Sequence, residues 1–144
     1  MSLTNIFNIA GSAMSAQTVR LNTTASNMAN ADSVSSSVEE TYRARKPVFK
    51  LQEPTLEQMT DSDAGLLPGQ GVQVVGIVES EAPLRTEYNP SHPMADADGY
   101  VHYPNVNVVE EMADMISASR AFQVNTEIMN TAKQMVQRVL TIGQ

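Results

Sequence analysis

Residues 108–144 read VVEEMADMISASRAFQVNTEIMNTAKQMVQRVLTIGQ, and the reading of this stretch decides the fold. Asn107 just before it is a good N-cap, and Glu110 follows three residues later, as in a capping box. Gly143 stands where a helix stop is expected. Between these signals, Val108, Met112, Met115, Ser119, Phe122, Thr126, Met129, Lys133, Val136 and Leu140 alternate steps of four and three. That is a heptad seam, interrupted by Ser119, Thr126 and Lys133. A second row of Ala121, Asn125, Ile128, Ala132, Met135, Val139 and Ile142 runs beside it and makes the stripe broad. At 1.5 Å per residue such a helix is about 55 Å long, far beyond the mean for a globular domain. It needs a partner of similar length.

The other end of the chain supplies one. Leu3, Phe7, Ala10, Met14, Gln17, Leu21, Thr24 and Met28 keep the same rhythm, and Ile6, Ile9, Ala13 and Ala16 widen the stripe. Gly11 weakens this helix locally, by roughly 1 kcal/mol relative to alanine. The expected fold is α+β and mainly α: a discontinuous coiled coil of residues 1–31 and 108–144 with everything else inserted. Within the insert, residues 32–71 read as extended or loop, and 72–107 as a short β-rich segment.

The 144 residues carry a net charge of −7, with a pI near 4.7 and no cysteine. This argues against a nucleic-acid backbone as partner and excludes disulfides and thiolate metal sites. The start lacks a basic n-region, an apolar core and a cleavage site, so no cleaved export signal is expected. No apolar run approaches the length of a membrane span. Residues 1–31 hold a single charged side chain, Arg20, while the net −7 falls between 32 and 107. The first helix shows Ser12, Ser15, Gln17, Thr18, Asn22, Thr23, Ser26 and Asn27 where a surface helix carries Glu and Lys. A neutral polar face is far cheaper to desolvate than a charged one. We therefore read the helix as packed on all sides inside an assembly, in preference to a neutral solvated helix.

Inside the insert, Tyr42–Leu51 reads as an edge or irregular strand because of Pro47. Gln52–Gly71 is acidic and turn-rich, a loop or a short helix near Thr55–Met59. Val72–Glu79 is the clearest strand, with Leu84–Tyr88 as its expected partner, and Tyr100–Tyr103 is a short strand before the last helix. His92, Asp96, Asp98 and His102 form the one metal-like group. The two histidines stand ten residues apart across a Pro/Gly loop, and the spacing is not that of a calcium loop, so turn formation is favoured. The glycines do not lead from a strand into a helix as a phosphate cradle does, and no serine sits in a nucleophile elbow. No catalytic, cofactor-binding or metal-binding residue is expected. Six of the nine methionines (Met14, Met28, Met112, Met115, Met129, Met135) lie on the two helices, as adaptable packing groups.

Several stretches together resemble the axial proteins of the bacterial flagellum, most closely those of the proximal rod. They are AGSAMSAQ from Ala10, RLNTTASNMANADS from Arg20, YRAR from Tyr42, NPSHPMAD from Asn89, GYV from Gly99 and PNVNVVEEM from Pro104. ISASRAFQ from Ile116 and the closing LTIGQ complete the likeness, which is poorest over 33–40 and 52–70. The wider family follows its Ser-Asn-x-x-Asn motif with Thr-x-Gly and an aromatic; Ala31-Asp32-Ser33-Val34 departs from this. The resemblance implies a structural subunit that polymerises through its terminal helices, lines the export channel and transmits motor torque. It implies export through the flagellar type III apparatus, location in the rod across the periplasmic space, and termini that order on assembly. Implied partners are copies of itself, other proximal and distal rod proteins, and the inner-membrane ring and export-gate junction. Packing is expected from Phe7, Met14, Leu21, Met28, Met112, Met115, Phe122, Ile128, Met129, Met135, Val136, Val139 and Leu140. Asn27 and Asn30 are expected to end the first helix and to contact neighbours. The alternative from another class is a helical adaptor or secretion chaperone binding clients through the same stripe.

Overall fold

The computed structural model describes residues 3–52 and 71–142. Helix α1 spans Leu3–Ala29 and ends at Asn30, whose side-chain amide donates to the Ser26 carbonyl at 2.8 Å. Ser33 Oγ in turn donates to the Asn30 carbonyl at 2.7 Å, so the freed carbonyls at the helix end are satisfied locally. Strands β1 (Arg45–Leu51), β2 (Val72–Glu79), β3 (Arg85–Tyr88) and β4 (Tyr100–Tyr103) follow, and helix α2 (Val108–Ile142) closes the order. Asn107 caps α2 by accepting the Val109 N–H at 3.1 Å on its side-chain oxygen. At 1.5 Å per residue, the 27 residues of α1 and the 35 of α2 are about 40 and about 52 Å long. The expected loop or short helix at 55–59 and the stop at Gly143 lie outside the described residues.

The chain divides into two compact units. One comprises Met1–Val19, Val48–Gly76 and Ala118–Gln144; the other comprises Arg20–Pro47 and Ile77–Ser117. Each therefore takes part of both helices and part of the insert.

In the first unit the buried apolar positions of the helix segments are small: Ala10, Ala16, Ala118 and Ala132. The Thr126 hydroxyl lies 3.0 Å from the Phe122 carbonyl and 3.5 Å from Met14 Sδ. The start of β2 is tied to α1 by one serine. Ser12 Oγ donates to the Ile9 carbonyl at 2.8 Å and accepts the Val72 N–H at 3.1 Å. Gly71 is what lets the chain come this close. A Cβ there would collide with Ser12 Oγ and lie 3.0 Å from both Ser12 Cβ and Gln52 Oε1.

In the second unit β3 and β4 form an antiparallel pair, with Arg85 opposite Tyr103 and Tyr88 opposite Tyr100. Ser35 flanks β4 on its other edge, exchanging two backbone hydrogen bonds of 3.1 Å with His102. Val101, between these edges, is completely buried. β1 and β2 form the other two-stranded sheet. Its end bonds, Gln52 N–H to Gly71 and Ser80 N–H to Ala44, make it antiparallel.

Two expectations are corrected here. The 84–88 segment pairs with β4 instead of β2, because β2 already has β1 as its neighbour and the turn at 89–99 folds β4 back onto β3. Thr23 and Asn27 do not lie on the outer face of α1; both are buried, and the Asn27 side chain bonds the Arg45 backbone.

Gly71→Ala is expected to destabilise the chain by about 1–2 kcal/mol, as overpacking does. Loss of hydrogen-exchange protection at Val72–Val74 would show it, and unchanged protection there would refute the staple.

Candidate assembly site

The best-organised polar centre lies in the second unit, where the end of α1 meets the chain that returns after the serine-rich turn. The Asn27 side chain behaves as a short piece of β-strand. Its amide donates to the Arg45 carbonyl at 2.8 Å, and its oxygen accepts the Arg45 N–H at 2.9 Å. The same oxygen accepts the Tyr42 hydroxyl at 2.9 Å, and Tyr42 also lies 3.3 Å from Ser26 Oγ. Asn27 is 1% exposed, so these bonds replace water that the group has lost. A second asparagine holds the adjacent residue: Asn105 Oδ1 accepts the Ala44 N–H at 2.8 Å. The Asn105 amide lies 3.2 Å from the Ser80 carbonyl and 2.9 Å from that of Ala82, and Arg43 donates to the same two carbonyls. Arg45 pairs with Glu79 at 3.0 Å and lies 5.4 Å from the Tyr42 ring centroid. Both ends of the Arg45–Glu79 pair are about half exposed, so its worth is at most a few tenths of a kcal/mol to about 1 kcal/mol.

The metal-like group resolves into a turn. Asp96 Oδ1 accepts the Tyr100 and Asp98 N–H groups at 2.8 and 2.9 Å, and Gly99 takes the left-handed φ of 84° that the turn needs. Pro90 and the Tyr88 ring close over Gly99, so that a Cβ there would lie 3.1 Å from Pro90 Cβ and 3.0 Å from Tyr88 Cε2. Tyr88 and Tyr100 stack edge to face at 5.2 Å, and Arg85 lies 4.6 Å over the Tyr103 ring. His102 Nε2 lies 3.4 Å from Asp96 Oδ2. The Tyr100 N–H above all, then the Asp98 N–H and His102, hold the Asp96 carboxyl below its ordinary value, against the opposing effect of desolvation. Among the described residues, no group of three metal-ligating side chains gathers.

On the helices, the less exposed row of α2 runs Glu111, Met115, Ala118, Phe122, Asn125, Met129, Ala132 and Val136, on the same four-three rhythm, with Phe122 at its margin at 37% exposure. It lies between the two rows that sequence spacing suggests, taking Met115, Phe122, Met129 and Val136 from one and Asn125 and Ala132 from the other. Met112, Ile128, Met135, Val139 and Leu140 instead face outward, at 50, 43, 54, 65 and 65% exposure. On α1, Phe7, Met14, Leu21 and Met28 are half-buried, as is Asn30. Sequence reasoning missed Tyr42 and Asn105 as polar partners, and Ala118 and Ala132 as the closest-packed positions of α2. The signal for Asn105 was present in the asparagine between Pro104 and Val106; nothing local marked Tyr42.

Asn27→Ala is expected to cost on the order of 3 kcal/mol, because the Tyr42 hydroxyl and both Arg45 backbone groups lose a buried partner together. Thermal unfolding measures it. For Asp96, a depressed pKa means stabilisation that is fully present above the ordinary aspartate value of about 3.9 and is lost as the pH falls through the lowered one. The protection factors of the Asp98 and Tyr100 amides should therefore fall under acid, and Asp96→Asn should flatten that pH dependence.

Comparison with known proteins gives this geometry its context. The family described as "Flagella basal body rod protein" matches residues 7–35, and that described as "Flagellar basal body rod FlgEFG protein C-terminal" matches residues 97–142. The flagellar basal-body rod protein FlgC of Salmonella typhimurium is 49% identical over 144 residues, covering all of both chains. The proteins of the same name from Escherichia coli O157:H7 and Yersinia enterocolitica are each 48% identical, again with full coverage of both chains. With such identity end to end and rod-protein matches on both helices, the chain belongs to the FlgC family of flagellar basal-body rod proteins.

Proposed function

We infer that the chain is a structural, non-enzymatic subunit of the flagellar basal-body rod, built in by packing its terminal helices against those of neighbouring rod subunits. One observation carries the mechanism. Among the described residues, the fully buried apolar set is six alanines and Val101, while large apolar side chains stand outside. On α2 alone, Val109, Ile116, Val124, Ile128, Met135, Val139 and Leu140 are 43–75% exposed. Each large apolar side chain left in water forgoes about 1.5–3 kcal/mol of burial. A neighbouring helix would recover it. The finer parts of this reading are that the packed helices form the export-channel wall, carry torque along the rod, and reach their place unfolded through the type III apparatus. Two features support them: helices of about 40 and 52 Å, and a first helix with Arg20 as its one charged side chain. The neighbours are copies of itself, other proximal and distal rod proteins, and the ring and export-gate junction.

Ile128→Asp and Leu21→Asp separate the two kinds of packing. Ile128 is exposed and Leu21 half-buried, so Ile128→Asp should leave the folded insert and subunit export intact while abolishing rod assembly and swimming. Leu21→Asp should impair both the chain's own fold and assembly. Hydrogen exchange over 1–31 and 108–144 should be faster in the free subunit than in isolated basal bodies. Motile cells carrying Ile128→Asp, or strong protection of the free helices, would favour a self-sufficient helical adaptor.

A further inference from the structure

The boundary between the two compact units crosses both helices, between Val19 and Arg20 in α1 and between Ser117 and Ala118 in α2. Residues 20–29 and 108–117 therefore belong to one body with most of the insert, and every residue of that body is described. Segments this short are marginal as isolated helices in water. Here each is tied to the insert by buried groups of its own.

On α1, Thr23, Thr24 and Asn27 are 6, 3 and 1% exposed. Asn27 makes two hydrogen bonds with the Arg45 backbone and accepts the Tyr42 hydroxyl. Uncoiling residues 20–29 would strip these buried partners from the insert, so the two unfold together. On α2, Glu111 is 4% exposed. It lines a cavity of about 80 Å³ with Arg20 and Thr24 of α1, Arg45 and Lys46 of β1, and Asp114. A buried carboxylate is costly without cations nearby, and the cations around this cavity come from α1 and β1. Asn105, just ahead of α2, accepts the Ala44 N–H and lies against the Ser80 and Ala82 carbonyls. The start of α2 is thus fixed by the same centre as the end of α1.

We propose that residues 20–29 and 108–117 are already helical in the free subunit, folded with the insert. They serve as templates from which 3–19 and 118–142 wind when a neighbouring rod subunit docks. The inference rests on the rod-subunit reading and adds where along each helix order begins. Starting a helix is about a thousandfold unfavourable, whereas extending an existing one is close to neutral or mildly favourable per residue. A subunit that arrives with both nuclei formed leaves its neighbour only the extension to drive.

The test is segment-resolved hydrogen exchange on the purified, full-length free subunit. Residues 20–29 and 108–117 should match 42–47 and 100–103 in protection, about tenfold or more above 3–19 and 118–142. Equally fast exchange along the whole of both helices would overturn the inference and leave the rod-subunit reading standing. Uniform strong protection over 3–29 and 108–142 would overturn it and favour the helical adaptor. Two variants test the coupling. Asn27→Ala should lower protection at 20–29, 42–47 and 108–117 together; protection retained at 108–117 would refute the shared body. Ser15→Pro interrupts α1 only ahead of residue 15, since proline is tolerated at the first helical position. It should leave protection at 20–29 unchanged while lowering rod yield about tenfold or more in cells lacking the native copy. Lost protection at 20–29 in Ser15→Pro would overturn the boundary, and normal rod yield would overturn the templating step.

Discussion

A chain that meets itself through alanines gains little from the meeting. Ordering a helical residue costs about 1–2 kcal/mol of backbone entropy, and a buried methyl group returns about 0.8 kcal/mol. Ala10, Ala16, Ala118 and Ala132 are the buried apolar contacts of the helix segments in the first unit, and Thr126 adds a weak approach to Met14. Among the described residues, large side chains of α2 such as Ile128, Met135, Val139 and Leu140 remain 43–65% exposed. Small residues within and large ones without is the reverse of an ordinary globular helix pair. It becomes economical once other helices surround each copy. On the proposed reading, close approach inside the subunit would keep the pair thin and leave the outer side chains to hold subunits together.

The insert is governed by a different constraint, the need to satisfy backbone polar groups in segments too short to form a large sheet. Two asparagines solve it. Asn27 takes the place of a neighbouring strand at Arg45, and Asn105 does the same at Ala44. Because Asn27 lies on α1 and Asn105 three residues before α2, these bonds fix where the second unit's parts of the insert stand against the helix ends. An amide suits the task because it offers a donor and an acceptor without charge, so burial at 1% exposure carries no ionic desolvation cost.

How much of this the residues disclosed follows from how local each signal is. The helices were legible because period, the Asn107 cap and the asparagine-rich end at 27–30 act within a few residues of one another. β2 was legible from its valines. The inward face of α2 was not, because apolar residues lie on more than one side of the helix and a periodicity argument assigns the largest to the core. In this chain the core row is marked by Ala118 and Ala132, which such an argument ranks low. The partner of β3 was hidden by Pro47, which made β1 look too irregular to claim β2. Asn27 read as an exposed helix terminator because its partners, Tyr42 and Arg45, lie beyond a serine-rich turn. A side chain that imitates a strand leaves no local trace.

Family membership and the distribution of side chains then support each other without being the same argument. Identity to rod proteins identifies the kind of object the chain belongs to, but does not say which atoms hold that object together. Burial does the converse. It sorts Phe7, Met14, Leu21 and Met28, half-buried by their own chain, from Ile128, Met135 and Val139, which are 43–65% exposed among the described residues. A solvated surface could have been expected to spend Lys and Glu at those places, as the insert does with most of the chain's charge. The first helix keeps to serine, threonine and asparagine instead. A nearly uncharged first helix and exposed apolar side chains on α2 are what a subunit packed among other helices would present.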